Sequence, residues 1–172
     1  MDGIAWAASA MAAAQARLEI AAENLANGSS DGFRRSIARG SLQRSGVRVT
    51  PSRDDEQGAL RHTGRHLDRA IVGRGTFVLR SSDGLVAETR NGAFTKDRFG
   101  HLRDDLGRVL VKTSLAKGSF VRSGFLESSN VDSVGEMVNV LEAERSFETA
   151  QKVLSAIDQT RERANAKMAE FK

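Results

Sequence analysis

Three histidines and no cysteine limit the chemistry this chain can carry. His62 and His66 stand four apart, a spacing that on a helix would put two metal ligands on one face. Gly64 lies between them in a strand-like stretch, and no third ligand accompanies them. His101 stands alone. Gly73-Arg74-Gly75 lacks the third glycine of a dinucleotide loop, because position 78 is Val, and reads as a turn. Asp54, Asp55 and Glu56 are consecutive in a loop, so solvation explains them more simply than acid–base work across a cleft. No serine is set beside a histidine and an acid. The residues thus carry no catalytic, cofactor-binding or metal-binding expectation, and binding or structural roles are what remain.

Charge is distributed unevenly. Residues 28–112 hold 17 basic and 10 acidic side chains, whereas residues 1–27 hold one and three and the remainder 8 and 9. A basic middle invites a nucleic-acid-binding reading. Against it, Arg34, Arg35, Arg39, Arg44, Arg48 and Arg53 come singly or as one pair with few aromatics between them for base stacking. A solvated basic surface is the simpler expectation.

The element around which the chain is organised runs from Val131 to Phe171. Its apolar residues fall at Val131, Val134, Val138 and Leu141 and resume at Phe147, Ala150, Leu154, Ile157, Ala164 and Met168, in steps of three and four. The step of six from Leu141 to Phe147 shifts the stripe, and Met137, Val140 and Ala143 widen it, so a partner surface broader than a two-stranded seam is expected. Asp132 and Ser133 can cap its start, and Ser133 with Glu136 forms a capping box. At 1.5 Å per residue such a helix is on the order of 60 Å long, more than a small core can cover, so it needs a partner along its length. A second helix begins the chain, capped by Asp2. Ile4, Met11, Leu18 and Leu25 recur every seven residues, with Ala8, Ala21 and Ala22 beside them, up to the stop at Asn27-Gly28. Two readings stay open: a coiled-coil hairpin within one chain, or an intermolecular assembly surface. The apolar run Ala5 to Ala14 is not read as a cleaved signal peptide, because no basic n-region precedes it, Asp2 is acidic and the heptad continues. No other segment is long and apolar enough to span a membrane.

Residues 28–57 show no sustained period, apart from a short strand at Val47 to Thr50, and are expected to be mobile until something orders them. From Gly58 to Val111 the period becomes two and glycine punctuates it. Asp83-Gly84 and Asn91-Gly92 mark turns between short strands around Ile71, Phe77, Ala87, Phe94 and Leu110, and Ser119 to Leu126 adds a last one. The expected class is α+β. Long N- and C-terminal helices pair as a coiled-coil-like arm (1–27 and 127–172), with a flexible segment (28–57) and a small antiparallel β domain (58–126) inserted between them.

Three stretches together resemble the bacterial flagellar rod and hook protein family. The first is Ala22-Glu-Asn-Leu-Ala-Asn-Gly-Ser-Ser-Asp-Gly-Phe-Arg-Arg35. The last is Gly124-Phe-Leu-Glu-Ser-Ser-Asn-Val-Asp132, followed by Glu136-Met-Val138 and Arg145-Ser-Phe-Glu148. Between them, Leu67-Asp68, Gly73-Arg-Gly-Thr-Phe77 and Thr89-Arg90-Asn-Gly92 are similar to the family's β-domain motif. Within the family the ends look most like the proximal rod proteins, with the distal rod proteins a close second. The chain departs from both in its short middle after Val111, in Thr76 before Phe77, and in Thr160, Arg161 and Glu162 where apolar residues are common.

The resemblance implies a structural rod subunit without enzymatic activity or cofactor. Its terminal helices would polymerise into the axial tube through Ile4, Met11, Leu18, Leu25, Val134, Val138, Leu141, Phe147, Leu154 and Ile157. It implies other rod and hook-basal-body subunits and the flagellar type III export apparatus as partners, with Phe33 and Ile37 as the export-gate element. It places the protein in the basal-body rod of the periplasmic space, exported without a cleaved signal peptide, with no nucleic acid and no membrane insertion. A rod-assembly or export accessory that is not built in, and the basic nucleic-acid module, are the alternatives.

Overall fold

Alanine dominates the first helix of the computed structural model, which describes residues 3–44 and 46–170. Helix α1 spans Gly3–Ala26 and ends before Asn27 and Gly28, as the stop signal requires. Asp2, the expected cap, and Phe171, the expected end of the second helix, lie outside the described residues. Helix α2 runs over Ser133–Glu170, some 57 Å at 1.5 Å per residue, with Glu136 in its first turn. The class is α+β.

Among the described residues eleven strands lie between the helices: β1 (Ser36–Gln43), β2 (Gly46–Arg53), β3 (Leu60–His62), β4 (Arg69–Val72), β5 (Gly75–Arg80), β6 (Val86–Thr89), β7 (Thr95–Lys96), β8 (Leu102–Arg103), β9 (Val109–Leu115), β10 (Phe120–Ser123) and β11 (Phe125–Glu127). The chain divides into two units. The helical unit comprises Met1–Leu25, Ser36–Ser52 and Ser133–Lys172, and the β unit Ala26–Arg35 and Arg53–Asp132.

In the β unit a five-stranded antiparallel sheet has the order β6-β5-β9-β8-β7, and the pairs β10-β4 and β11-β3 complete it. Its core is Ile71, Phe77, Leu79 and Phe94, with Leu102, Leu110 and Val121 packed against them. The Phe77 and Phe94 rings meet edge to face, 5.2 Å apart and inclined at 86°. Both turns read from the sequence occupy their expected places. Gly84, at φ 86°, connects β5 to β6, and the Asn91 side chain accepts the amide of Ala93 at 2.9 Å after β6.

The helical unit contains a correction. Where the sequence showed one short strand at Val47–Thr50, β1 and β2 pair as a two-stranded ribbon. The reason the signal was weak is that only Val47 and Val49 alternate inward on β2, while the far half of β1 is fully exposed. Pro51 is tolerated because both strands of such a ribbon are edges.

Burial on the helices also differs from the expected stripes. On α1 the buried residues are Ala7, Ala13, Ala14, Ile20, Ala21 and Asn24, whereas Ala8 and Ala22 are exposed. On α2 the inward positions are Glu136, Val140, Ala143, Phe147, Ala150, Leu154 and Ile157, an unbroken alternation of fours and threes. Trp6, Ala7 and Ala10 share a cleft of about 660 Å³ with Ala150, Val153 and Ile157. A Cβ on Gly3 would lie 3.3 Å from Cδ1 of Ile157.

Candidate functional site

A buried ion pair lies in the β unit, where the three signature stretches meet. Glu127, at the end of β11, is 2% exposed. Its backbone oxygen accepts the Gly32 amide at 2.6 Å, and Oε1 accepts the Gly58 amide at 3.2 Å. Oε2 accepts Nε of Arg90 at 2.7 Å, with Nη2 of Arg90 also 2.6 Å away. The remaining Arg90 donors reach the carbonyls of Ile71, Gly73 and Gly75 at 2.9, 2.9 and 3.0 Å. Nη2 of Arg34 approaches Oε1 at 3.8 Å, while its Nη1 bonds Asp55.

Burial lowers the Arg90 pKa, the Glu127 carboxylate opposes that shift, and the like charge of Arg34 adds to it. Gly32 has φ 71°, and any Cβ there would overlap the Arg90–Asn91 backbone, so the Asp-Gly-Phe-Arg turn closes on Arg90 only with glycine. Both carboxylate oxygens of Glu127 are engaged by donors. The cluster clips the N-terminal, middle and C-terminal signatures together. The adjoining cleft of about 530 Å³ is lined by Arg34, Arg53, Arg74, Arg90 and Arg108 together with Asp31, Asp55, Glu88 and Asp105, a nearly balanced set of charges.

In the helical unit the polar anchor is Asn24, fully buried on the last turn of α1. Its Nδ2 donates to the Ser36 carbonyl and its Oδ1 accepts the Ser36 amide, both at 2.8 Å, so one side chain holds the root of β1 as a sheet partner would. The turn end of the ribbon is held by Ser9, whose Oγ accepts the Val47 amide at 3.3 Å. Gly46, at φ 138°, sits so close that a Cβ would overlap Ser9 Oγ. With Gly40 beside Arg17, the ribbon therefore lies along α1, root at Asn24 and turn toward Ser9.

The ten residues expected to mediate assembly fall into two groups. Ile4, Met11, Leu18, Leu25, Phe147, Leu154 and Ile157 are half-buried on the inward faces of their helices. Val134, Val138 and Leu141 are exposed at 72%, 49% and 54%, with Met137 beside them at 53%. At 100° per residue these four lie roughly 160° around α2 from the inward stripe. The shifted and widened stripe read from the sequence is thus two opposed faces, and the step at Leu141 to Phe147 is where it crosses from one to the other. Of the expected export element, Phe33 belongs to the β unit and Ile37 to β1 of the helical unit, both half-buried.

Sequence reasoning assigned no role to Asn24, Arg90 or Glu127, although all three lie inside the quoted signatures, and it passed over Trp6. An uncharged Asn on a helix face and a lone acid after two apolar residues were the available signals. His62 stacks on the edge of Phe125 with ring centroids 4.8 Å apart. Among the described residues no cluster of three His, Cys, Asp or Glu side chains is arranged to hold a metal. No helix among them is long and apolar enough to cross a membrane.

Comparison with known proteins points to the two end stretches. The family "Flagella basal body rod protein" matches residues 4–34, and "Flagellar basal body rod FlgEFG protein C-terminal" matches residues 122–167. The flagellar basal-body rod protein FlgG of Agrobacterium fabrum is 24% identical over 92% of this chain and 96% of its own length. FlgF of Escherichia coli is 25% identical over 85% and 90%. The flagellar hook protein FlgE of Brucella abortus is 32% identical over 80% of this chain but only 37% of its own length. The FlgG alignment spans 252 positions against the 172 residues here, so that relative carries internal segments this chain lacks. With both ends matched and the signatures joined at Glu127, this chain is a member of the flagellar basal-body rod and hook protein family.

Proposed function

We propose that the chain is a structural subunit of the flagellar rod, built into the axial tube through its terminal helices, and that it acts without catalysis. The observation that carries this reading is the exposed face of Val134, Met137, Val138 and Leu141 on the side of α2 turned away from its inward stripe. A helix with apolar residues on both faces needs two partners, and one chain supplies one. For the inward face the partner is α1. Ile4, Ala7, Met11, Ala14, Leu18, Ala21 and Leu25 follow the same heptad alternation as the α2 stripe, and the shared cleft and the Gly3–Ile157 approach support an antiparallel coiled-coil-like pair. In that pairing α2 overruns α1 beyond Ile157, in keeping with full exposure of residues 158–168. The outer face is then left for neighbouring rod or hook-basal-body subunits.

Passage through the type III export apparatus, with Phe33 and Ile37 as its recognition element, belongs to the same reading. So does the periplasmic rod as the final location. The relatives named as basal-body rod proteins support it. The deciding measurement is quantitative peptide mapping of purified hook-basal bodies from cells expressing the chain. Stoichiometric presence in the rod fraction is expected, and its absence from intact basal bodies would favour an accessory that is not built in.

A further inference from the structure

Two asparagines of the chain, Asn27 and Asn91, are followed by glycine. In an Asn-Gly pair the backbone nitrogen of the glycine can attack the side-chain amide of the asparagine, because no side chain blocks its approach and glycine leaves the backbone free to turn. The fold treats the two pairs differently. Asn91 Oδ1 accepts the Ala93 amide at 2.9 Å, and the Asn91 amide donates to Thr89 Oγ1 at 3.0 Å. Gly92 is buried, its carbonyl accepts the amides of Arg69 and Phe94 at 3.0 and 2.9 Å, and a Cβ there would overlap the Arg69 carbonyl. Carrying the Gly92 nitrogen onto Asn91 Cγ would break these bonds beside the Phe77–Phe94 core, an opening that draws on the stability of the whole β unit.

Asn27 follows the last residue of α1, at the end of a helix, where the chain frays. Asn27 and Gly28 are half-buried and Ser29 and Ser30 are exposed, so water reaches the turn. The Ser30 amide donates to the Asn27 carbonyl at 3.1 Å, and the Ser30 hydroxyl donates to Asn27 Oδ1 at 3.2 Å. That hydroxyl sits on the oxygen that gains negative charge when Cγ is attacked, the place of an oxyanion donor. We infer that Asn27 is a site of self-modification. The deprotonated Gly28 nitrogen attacks Asn27 Cγ and forms a new C–N bond; the Cγ–Nδ2 bond breaks, and Nδ2 takes up a proton from water and leaves as ammonia. Water then opens the resulting succinimide at either carbonyl, which leaves aspartate or isoaspartate at position 27. Water is the one co-reactant. Either product sets a carboxylate at the carbonyl end of α1, against the helix dipole and three residues after Asn24, which holds the root of β1. The modification therefore loosens the last turn of α1, and it does so whether or not the chain is built into a rod.

The test incubates the full chain at neutral and mildly alkaline pH and follows its peptides by mass spectrometry. A gain of about 1 Da at Asn27 is expected, faster at the higher pH, with isoaspartate identified by electron-transfer fragmentation. Asn91 should lag by at least about tenfold, since the β unit must open first. In denaturant the two pairs should convert at similar rates. Ser30→Ala keeps the backbone bond to Asn27 and should slow conversion about 2- to 10-fold, the range set by the net worth of one hydrogen bond. In the separated product the amides from Ala22 to Ala26 should exchange faster, while those of β5 stay as protected as before. Conversion of Asn91 as fast as Asn27, a product without isoaspartate, or a difference between the pairs that survives in denaturant would overturn the inference. An unchanged rate in Ser30→Ala would overturn the part given to the hydroxyl, and unchanged exchange in α1 would overturn the loosening.

Discussion

The β unit and the helical unit solve the problem of burial in opposite ways. In the β unit large side chains close on one another, with Phe77, Phe94, Ile71 and Leu79 inside and the Glu127–Arg90 pair sealed beside them. In the helical unit the fully buried apolar residues are alanines and one isoleucine, while Val134, Met137, Val138, Leu141 and Leu42 face outward. An alanine buries little apolar area at about 25 cal/mol per Å², so such a unit gains little from its own interior. The difference separates a part that is complete in one chain from a part that gains little from its own interior and that, in the function proposed above, neighbouring subunits would order.

The largest effect should come from breaking the complete part. Glu127→Gln leaves the guanidiniums of Arg90 and Arg34 without a buried counter-charge, and removal of one partner from such a cluster costs about 3–5 kcal/mol. The loss should be read in hydrogen exchange of the β5 amides from Phe77 to Leu79. Trp6, the single tryptophan, lies in the helical unit, so its fluorescence transition should barely move. Equal shifts in both signals would show that the units unfold as one. A smaller effect is expected at the ribbon root. Asn24→Ala leaves the Ser36 amide and carbonyl without their side-chain partner at a half-buried site, costing about 1–3 kcal/mol, and should release the amides of β1 to exchange while the β5 amides stay protected. Unchanged β1 exchange would show that Asn24 is not what holds the ribbon.

How much of this was legible in the sequence follows the same division. The β unit was readable because period-two alternation and the Asp83-Gly84 and Asn91-Gly92 turns are local signals, decided within a few residues. Its ionic junction was not. Arg34, Arg90 and Glu127 are far apart in the chain, and only the fold brings Arg90 and the Gly58 amide onto the Glu127 carboxylate and the Gly32 amide onto the same residue's backbone oxygen. On the helices the existence of α1 and α2, the stop of α1 before Asn27-Gly28 and the start of α2 at Ser133 were clear from period and local end signals. The sorting of residues between two faces was not, because an apolar side chain has the same signature whether it is covered by its own chain or left for another. The ribbon was missed for a third reason, since Asn24 and Ser9 order it through tertiary bonds that no local period records.

The smallest effect on stability should accompany the largest loss of association. Val138 is 49% exposed in the second turn of α2, and a surface substitution at such a site usually changes stability by no more than about 0.5 kcal/mol. Val138→Asp should therefore leave both the Trp6 transition and the β5 amides unaltered, since an acid near a helix N-terminus is also favoured by the helix dipole. What it adds is a charge in the centre of the outer apolar face, where any subunit covering Met137 and Leu141 would have to desolvate it without a counter-charge. Sedimentation of concentrated protein, together with incorporation into basal bodies, should show association lost while the monomer remains as stable as before. Loss of monomer stability by more than about 1 kcal/mol would mean that this face is covered within the chain, and the contrast between a self-sufficient unit and a dependent one would fall with it.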